Sequence, residues 1–99
     1  MFGPYADMPH GRYLALFRVR RTGGHAAPLA TLDASANGGK IVMAQRKLVS
    51  GDLPDGEWRY APLAFNHPGG LLETRVLWPG DSALSVDTID LWRVRPTGR

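Results

Sequence analysis

The stretch from Leu71 to Val94, LLETRVLWPGDSALSVDTIDLWRV, contains two strand-like runs on either side of a Pro-Gly-Asp-Ser sequence. Proline and glycine are the strongest local markers of a turn. The first run alternates with a period of two, as a half-buried strand does. Its predicted core face consists of Leu72, Thr74, Val76 and Trp78. We therefore predict a β-hairpin, which needs an opposing sheet from the rest of the chain to cover its apolar face.

The second run changes phase in its middle. Leu84 and Val86 share one face of a regular strand. Ile89 and Leu91 fall on the opposite face if the alternation is strict. One extra residue near Asp87 would restore the phase, and a β-bulge inserts one such residue. The sequence therefore predicts a bulged strand.

The rest of the chain has the same pattern of short alternating runs between glycine-rich and proline-rich turns. We predict strands over residues 2–5, 12–21, 29–36, 40–49 and 57–65. The clearest is 12–21, with Tyr13, Ala15, Phe17 and Val19 on its core face. Pro62 cannot donate a hydrogen bond to a neighbouring strand, so we expect 57–65 at a sheet edge or at a bulge.

No run has the period of an amphipathic helix, and turn signals recur at short intervals along the whole chain. This pattern predicts an all-β protein, an antiparallel β-sandwich that we expect to be a jelly roll. The pattern does not by itself separate jelly-roll from immunoglobulin-like topology. Residues 1–99 are expected to form a single domain, which leaves open that they belong to a longer protein.

The composition excludes several classes of protein. The chain has no cysteine, so disulfides and thiolate zinc sites are excluded. Its apolar runs are too short to span a membrane. It lacks the basic start and continuous apolar core of a signal peptide, which predicts a cytoplasmic location if the chain is complete. The net charge of +3 permits binding to nucleic acid without requiring it.

The sequence carries no pattern that favours catalysis. Nucleophilic catalysis needs a nucleophile, a base and an orienting group in contact. His10, His25 and His67 lie in turn-like contexts, and none is beside a serine in a G-x-S-x-G elbow. We therefore expect a protein that is not an enzyme and needs no cofactor.

Outward-facing aromatic residues are the best candidates for a binding site. A sugar stacks its C–H face on a Trp or Tyr ring, while amide and charged groups bind its hydroxyls. Trp58, Tyr60 and Trp92 fall opposite the predicted core faces of their strands. Glu73 and Arg75 lie on the polar face of theirs and can make charge-assisted hydrogen bonds. A cross-strand ion pair explains Glu73 and Arg75 equally well.

Asp87 and Asp90 offer carboxylate oxygens to calcium, but this ion takes six to eight oxygen ligands. We favour the alternative that Asp87 binds free backbone amides at the bulge or in a nearby loop.

The arginines form a second group of candidates, for phosphate binding: Arg18, Arg20, Arg21, Arg93 and Arg95. They are sparse and mixed with acidic residues, and no RNA-binding signature is present, so a solvated face is favoured.

Four short motifs carry a resemblance to a known family: Gly3-Pro4-Tyr5, Gly11-Arg12-Tyr13, Glu73–Val76 and Val86–Ile89. Together they resemble the carbohydrate-binding-module-like β-sandwich domains that are fused to bacterial glycosyltransferases and related polysaccharide enzymes. The resemblance implies a non-catalytic jelly roll that recognises a glycan or packs against an attached catalytic domain. It also implies a structural calcium at Asp87, although the acidic first-strand residues that share this ion in such modules are missing here.

We therefore expect a glycan-binding accessory module. Trp58, Tyr60 or Trp92 would stack on the sugar, and Glu73 and Arg75 would hold its hydroxyls or an acidic sugar. The alternative is a structural domain that associates with a second copy and buries the same aromatic residues in the interface. Nucleic-acid binding through the arginines is the least favoured hypothesis.

Overall fold

The computed structural model describes residues 5–22, 30–53, 56–77 and 84–95. Within these ranges the chain forms seven strands and one short 3₁₀ turn at Ser50–Asp52. The strands are β1 (Tyr5–Met8), β2 (Gly11–Arg21), β3 (Ala30–Ala36), β4 (Ile41–Leu48), β5 (Trp58–His67), β6 (Gly70–Leu77) and β7 (Leu84–Val94). The same ranges contain no helix with the length and apolar character needed to cross a membrane. His25 and Trp78 lie outside the described residues.

The strands form two antiparallel sheets, with the orders β1-β6-β3-β4 and β5-β2-β7. Their apolar faces share one core, so the predicted antiparallel β-sandwich is confirmed. The strand order is that of the last seven strands of an eight-stranded jelly roll. An immunoglobulin fold pairs its first strand with its second. Here β1 pairs with β6 instead, so the connectivity is of the jelly-roll type.

The predicted hairpin over residues 71–94 is wrong, although both of its strands exist. β6 pairs with β1 and β3 in the four-stranded sheet. β7 pairs with β2 in the three-stranded sheet. The two strands therefore lie in opposite layers of the sandwich. Alternation determines which face of a strand is buried, but the neighbours of that strand depend on contacts with distant parts of the chain.

The middle strand of the three-stranded sheet, β2, contributes the largest side chains of the core. Its predicted core residues Tyr13, Ala15, Phe17 and Val19 are all fully buried. The opposing layer includes Leu32 of β3 and Val76 of β6, also fully buried. Burial of each large apolar side chain contributes about 1.5–3 kcal/mol. The Tyr13 hydroxyl donates a hydrogen bond to the carbonyl oxygen of Pro9 at 2.6 Å, so this polar group is satisfied.

The predicted bulge in β7 is confirmed. Arg18 lies opposite Thr88, and the next residue of β2, Val19, lies opposite Val86. Asp87 is therefore the extra residue. Because of this insertion, Val86 and Ile89 both pack against the core.

Two turn and edge predictions also agree with the structure. Asn37, with φ of 55°, and the two glycines after it connect β3 to β4 in an antiparallel hairpin. β5 is an edge strand, as Pro62 predicts. It continues to His67, beyond the predicted end at Phe65, because His67 still pairs with Gly11.

Replacing Gly39 with alanine is expected to destabilise the protein more than replacing Gly38. Both glycines have positive φ, which costs an alanine about 1–2 kcal/mol. At Gly39 the added Cβ would also lie 3.2 Å from Nη1 of Arg75, whereas nothing lies within 4 Å at Gly38. Urea unfolding of the two variants measures the difference. Equal losses would contradict the packing of Arg75 against this turn.

Candidate functional site

The side of the three-stranded sheet that faces away from the core carries all three predicted aromatic binding residues. We call it the outer face. Strand register arranges it in five rows, each running from β5 through β2 to β7. The rows are Asn66–Arg12–Val94, Ala64–Leu14–Trp92, Pro62–Leu16–Asp90, Tyr60–Arg18–Thr88 and Trp58–Arg20–Ser85. The alternation of β2 explains this surface, because the residues between its core side chains must point outwards.

The three aromatic residues lie towards opposite ends of the outer face. Trp58 and Tyr60 are in the last two rows, and Trp92 is in the second. Neighbouring rows are about 7 Å apart, so roughly 20 Å separates the Trp58 row from the Trp92 row. The face therefore offers two aromatic positions, which a single sugar ring cannot contact together.

Trp58 is held in a cluster with two arginines of β2. The guanidinium carbons of Arg18 and Arg20 lie 4.5 and 4.8 Å from the centre of its ring. These are cation–π distances, and the two guanidinium groups occupy part of the ring surface that a sugar would need. Arg18 also donates a hydrogen bond to Asp87 at 2.6 Å. Both arginines, predicted as part of a phosphate-binding or solvated group, thus have partners within the protein.

The ion pair with Arg18 changes the interpretation of Asp87. Its carboxylate accepts a hydrogen bond from this guanidinium, where we had favoured an interaction with free backbone amides. In the parts of the chain that the structure describes, no three His, Cys, Asp or Glu residues form a group that could hold a metal ion. The calcium implied at Asp87 therefore stays a prediction, with no ligand cluster to support it.

Trp92 and Tyr60 are the accessible aromatic residues of the outer face. Trp92 is 59% exposed and Tyr60 is 55% exposed. Trp92 stands beside the half-buried Leu14, and Val94 is exposed two residues further along β7. A contiguous apolar surface of this kind marks an interaction site more often than a scattered one does.

A cavity of 410 Å³ opens at the end of the outer face that carries Trp92. It is lined by His10, Gly11, Arg12, Asn66, Arg93 and Val94. Nη1 of Arg12 donates a hydrogen bond to Oδ1 of Asn66 at 3.3 Å. Nη2 of Arg93 donates another to the carbonyl oxygen of His10 at 2.9 Å. The volume is within the range of small-molecule sites, about 300–1,000 Å³.

Sequence reasoning did not identify this cavity. His10 and Gly11 were part of a turn, and Arg93 was only one member of a sparse basic group. Asn66 belongs to a different turn signal, which follows another strand. The residues meet because β5 and β7 both pair with β2, near its first residues. No local pattern contains that information.

Glu73 and Arg75 lie on the opposite side of the molecule. Both are on β6, whose core face consists of Leu72, Thr74 and Val76, so they point away from the core of the four-stranded sheet. The aromatic residues point outwards from the other sheet. The structure therefore does not bring Glu73 and Arg75 together with Trp58, Tyr60 or Trp92.

Arg75 forms a bidentate ion pair with Asp33. Its Nε donates to Oδ1 at 2.8 Å and its Nη2 donates to Oδ2 at 2.6 Å. The Asp33 side chain is fully buried and that of Arg75 is 18% exposed. The hydrogen bonds from Arg75 to Asp33 raise the pKa of Arg75 above its ordinary value, although burial acts in the opposite direction.

Because folding raises the pKa of Arg75, its ion pair with Asp33 contributes its full stabilisation at any pH below the ordinary pKa of arginine. It is lost only as the pH rises above that value. At neutral pH the charged side chain of Arg75 therefore stabilises the fold through its ion pair with Asp33.

No protein-family model matches this chain, and no curated protein matches its sequence. The geometry of the outer face and of the cavity beside it is therefore what bears on the function of this protein.

Arg75→Leu is expected to lower the free energy of unfolding by about 3–5 kcal/mol, because it leaves the buried Asp33 carboxylate unpaired. The double variant Asp33→Leu/Arg75→Leu should recover much of this loss, since apolar side chains replace a buried ion pair at little cost. Chemical denaturation measures both. Arg59→Leu is the control, because its 3.4 Å pair with Glu57 is exposed and contributes at most about 1 kcal/mol. If Arg75→Leu loses as little free energy of unfolding as Arg59→Leu, the structural role of Arg75 is contradicted.

Proposed function

We propose that this protein is a non-catalytic glycan-binding module that binds its ligand on the outer face. The observation that carries the proposal is the exposed indole ring of Trp92, at the end of the face where a cavity lined in part by hydrogen-bonding side chains opens. Glycan recognition needs these two elements together. A ring packs against the C–H face of one sugar, and hydrogen-bonding groups bind hydroxyls nearby.

The spacing of the two elements supports a ligand of more than one sugar unit. Trp92 and Val94 point to the same side of β7, and Val94 lines the cavity. Residues two apart on a strand are separated by about 7 Å. A sugar stacked on Trp92 therefore leaves its neighbour within reach of the cavity. There the Asn66 amide and the Arg12 guanidinium supply hydrogen-bonding groups.

The remainder of the outer face supports an extended ligand. Leu14 and Ala64 lie beside Trp92 in the same row, and Pro62 and Leu16 lie in the next row, which ends at Asp90. The side chains of Leu14, Ala64, Pro62 and Leu16 form an apolar strip on β5 and β2 beside Trp92. Tyr60, one row beyond them, is exposed and offers a second stacking position. A longer chain running along the face would reach it.

Trp92→Ala is expected to weaken glycan binding by about 2 kcal/mol or more, which is about 30-fold, because it removes the main stacking surface. A glycan array with the wild-type protein identifies the ligand, and calorimetric titration compares the variants. Tyr60→Ala should weaken long oligosaccharides more than short ones. Val42→Ala is a matched control, since Val42 is 46% exposed on β4 of the other sheet. Unchanged affinity in Trp92→Ala would refute the stacking surface.

A second candidate function is self-association, and the position of β7 favours it. In the described part of the chain, β7 pairs with β2 on one side and with no strand on the other. A free strand edge presents unpaired N–H and C=O groups that another strand can bind. The core-facing side chains of β7 are only partly buried, namely Leu84, Val86, Ile89 and Leu91. A second copy paired along this edge would cover them together with Trp92.

Sedimentation at several protein concentrations separates the two candidates. Self-association predicts a mass that rises with concentration and returns to that of a monomer in Trp92→Ala. The glycan-binding module predicts a monomer at every concentration, with ligand affinity that depends on Trp92. A monomeric wild type that binds a glycan would exclude self-association as the role of Trp92.

A further inference from the structure

The two arginines of the cavity differ in their partners from four other arginines of the described chain. Four arginines have a carboxylate oxygen within 4.0 Å, in the pairs Arg18–Asp87, Arg46–Asp52, Arg59–Glu57 and Arg75–Asp33. Arg12 and Arg93 bind neutral oxygens instead, from the Asn66 amide and the His10 carbonyl group. Among the described residues that line the cavity, none is acidic. Arg12 and Arg93 therefore both line a cavity whose described lining supplies no carboxylate.

Both guanidinium groups are also held in position. An added Cβ at Gly11 would lie 3.0 Å from Nε of Arg93, so the absence of a side chain at Gly11 lets Arg93 pack against the backbone. The hydrogen bond to the His10 carbonyl oxygen fixes its far end. Arg12 is oriented by its bond to Asn66. Pre-positioned donors bind a ligand more tightly because less side-chain entropy is lost on binding.

The hydrogen bonds within the protein use only part of each guanidinium. An arginine has five N–H donors in a planar fork, and it stays charged at all ordinary pH values. The described bonds use Nη1 of Arg12 and Nη2 of Arg93. The remaining donors suit the paired oxygens of a carboxylate, sulfate or phosphate group, which such a fork binds with two parallel hydrogen bonds.

We infer that the cavity between Arg12 and Arg93 is an anion-binding subsite, so that the ligand of the outer face is an acidic glycan. This inference rests on the proposed function. One sugar stacks on Trp92, and the next carries an oxyanion group into the cavity. The shared chemistry is a negatively charged group of two or more oxygens, and either a uronic acid or a sulfated or phosphorylated sugar supplies it.

The first experiment titrates the full chain with glucuronate and with inorganic phosphate, and follows the backbone amide signals by NMR. We expect saturable shifts at Gly11, Arg12 and Arg93, and none with glucose at the same concentration and ionic strength. The absence of saturable shifts with both anions would overturn the inference, and it would leave the proposed stacking on Trp92 intact.

The second experiment compares oligogalacturonate with its methyl ester of equal length. The acid should bind about tenfold more tightly or better, because charge-assisted hydrogen bonds are roughly twice as strong as neutral ones, and no carboxylate of the described residues pairs with either arginine. Arg12→Gln should remove this preference, with a smaller loss of affinity for the ester, which keeps only a neutral hydrogen bond at this position. Arg59→Gln removes the same charge outside the cavity and should keep the preference. A sulfated oligosaccharide of matched length identifies which oxyanion is favoured.

The remaining outcomes separate the two proposals. Equal affinity for acid and ester overturns the anion subsite but retains the glycan-binding module. Equal effects of Arg12→Gln and Arg59→Gln show a general charge effect, and they also overturn the subsite. If the anion-dependent shifts persist in Trp92→Ala and its affinity for the oligosaccharide is unchanged, the subsite is supported and the stacking function is refuted. If a single-stranded oligonucleotide binds more tightly than the acidic oligosaccharide and its affinity depends strongly on salt, the cavity binds nucleic-acid phosphates. That result overturns the proposal of an acidic glycan.

Discussion

The packing of β2 against the opposing sheet is the constraint on which the rest of the structure depends. Tyr13 and Phe17 on its core side are fully buried. Because side chains alternate along a strand, this burial forces Leu14 and Arg18 to the opposite side. β2 is also the strand with which both β5 and β7 pair, so its register aligns every row of the outer face. The core and the candidate binding surface are two sides of one strand, and neither can shift without the other.

The arginines show how one residue type takes different roles in a small fold. Arg75 neutralises a fully buried carboxylate, and Arg18 lies over the ring of Trp58 while pairing with the bulge residue Asp87. These charges are used within the protein. Within the described residues, Arg12 and Arg93 donate hydrogen bonds to neutral oxygens beside a cavity. The net charge of +3 could not distinguish these cases, because the difference lies in which group each arginine contacts.

The predicted orientation of the outward-facing residues agrees with the structure, whereas their predicted proximity to one another does not, and both outcomes have a physical reason. A period of two is a local property, so the sequence predicted that Tyr60 points outwards from its strand, and this is where the structure has it. The sequence contained no information about which strands are neighbours. We had paired β6 with β7, but they lie in opposite sheets, and Arg75 therefore lies on the other side of the sandwich from Trp92. The bulge at Asp87 was predictable because apolar residues on both sides of it must reach the same core.

By itself, the sequence determined the all-β class, the buried faces of β2 and β6, the turn at Asn37 and the edge position of the strand with Pro62. Each depends on alternation or on backbone restrictions within a few residues. Only the tertiary structure decided the jelly-roll connectivity, the burial of Asp33 and the cavity that joins Arg12 to Arg93. These features depend on contacts between residues that are far apart in the chain. Such contacts are stabilised by the core as a whole, so no single segment of the sequence contains a pattern that predicts them.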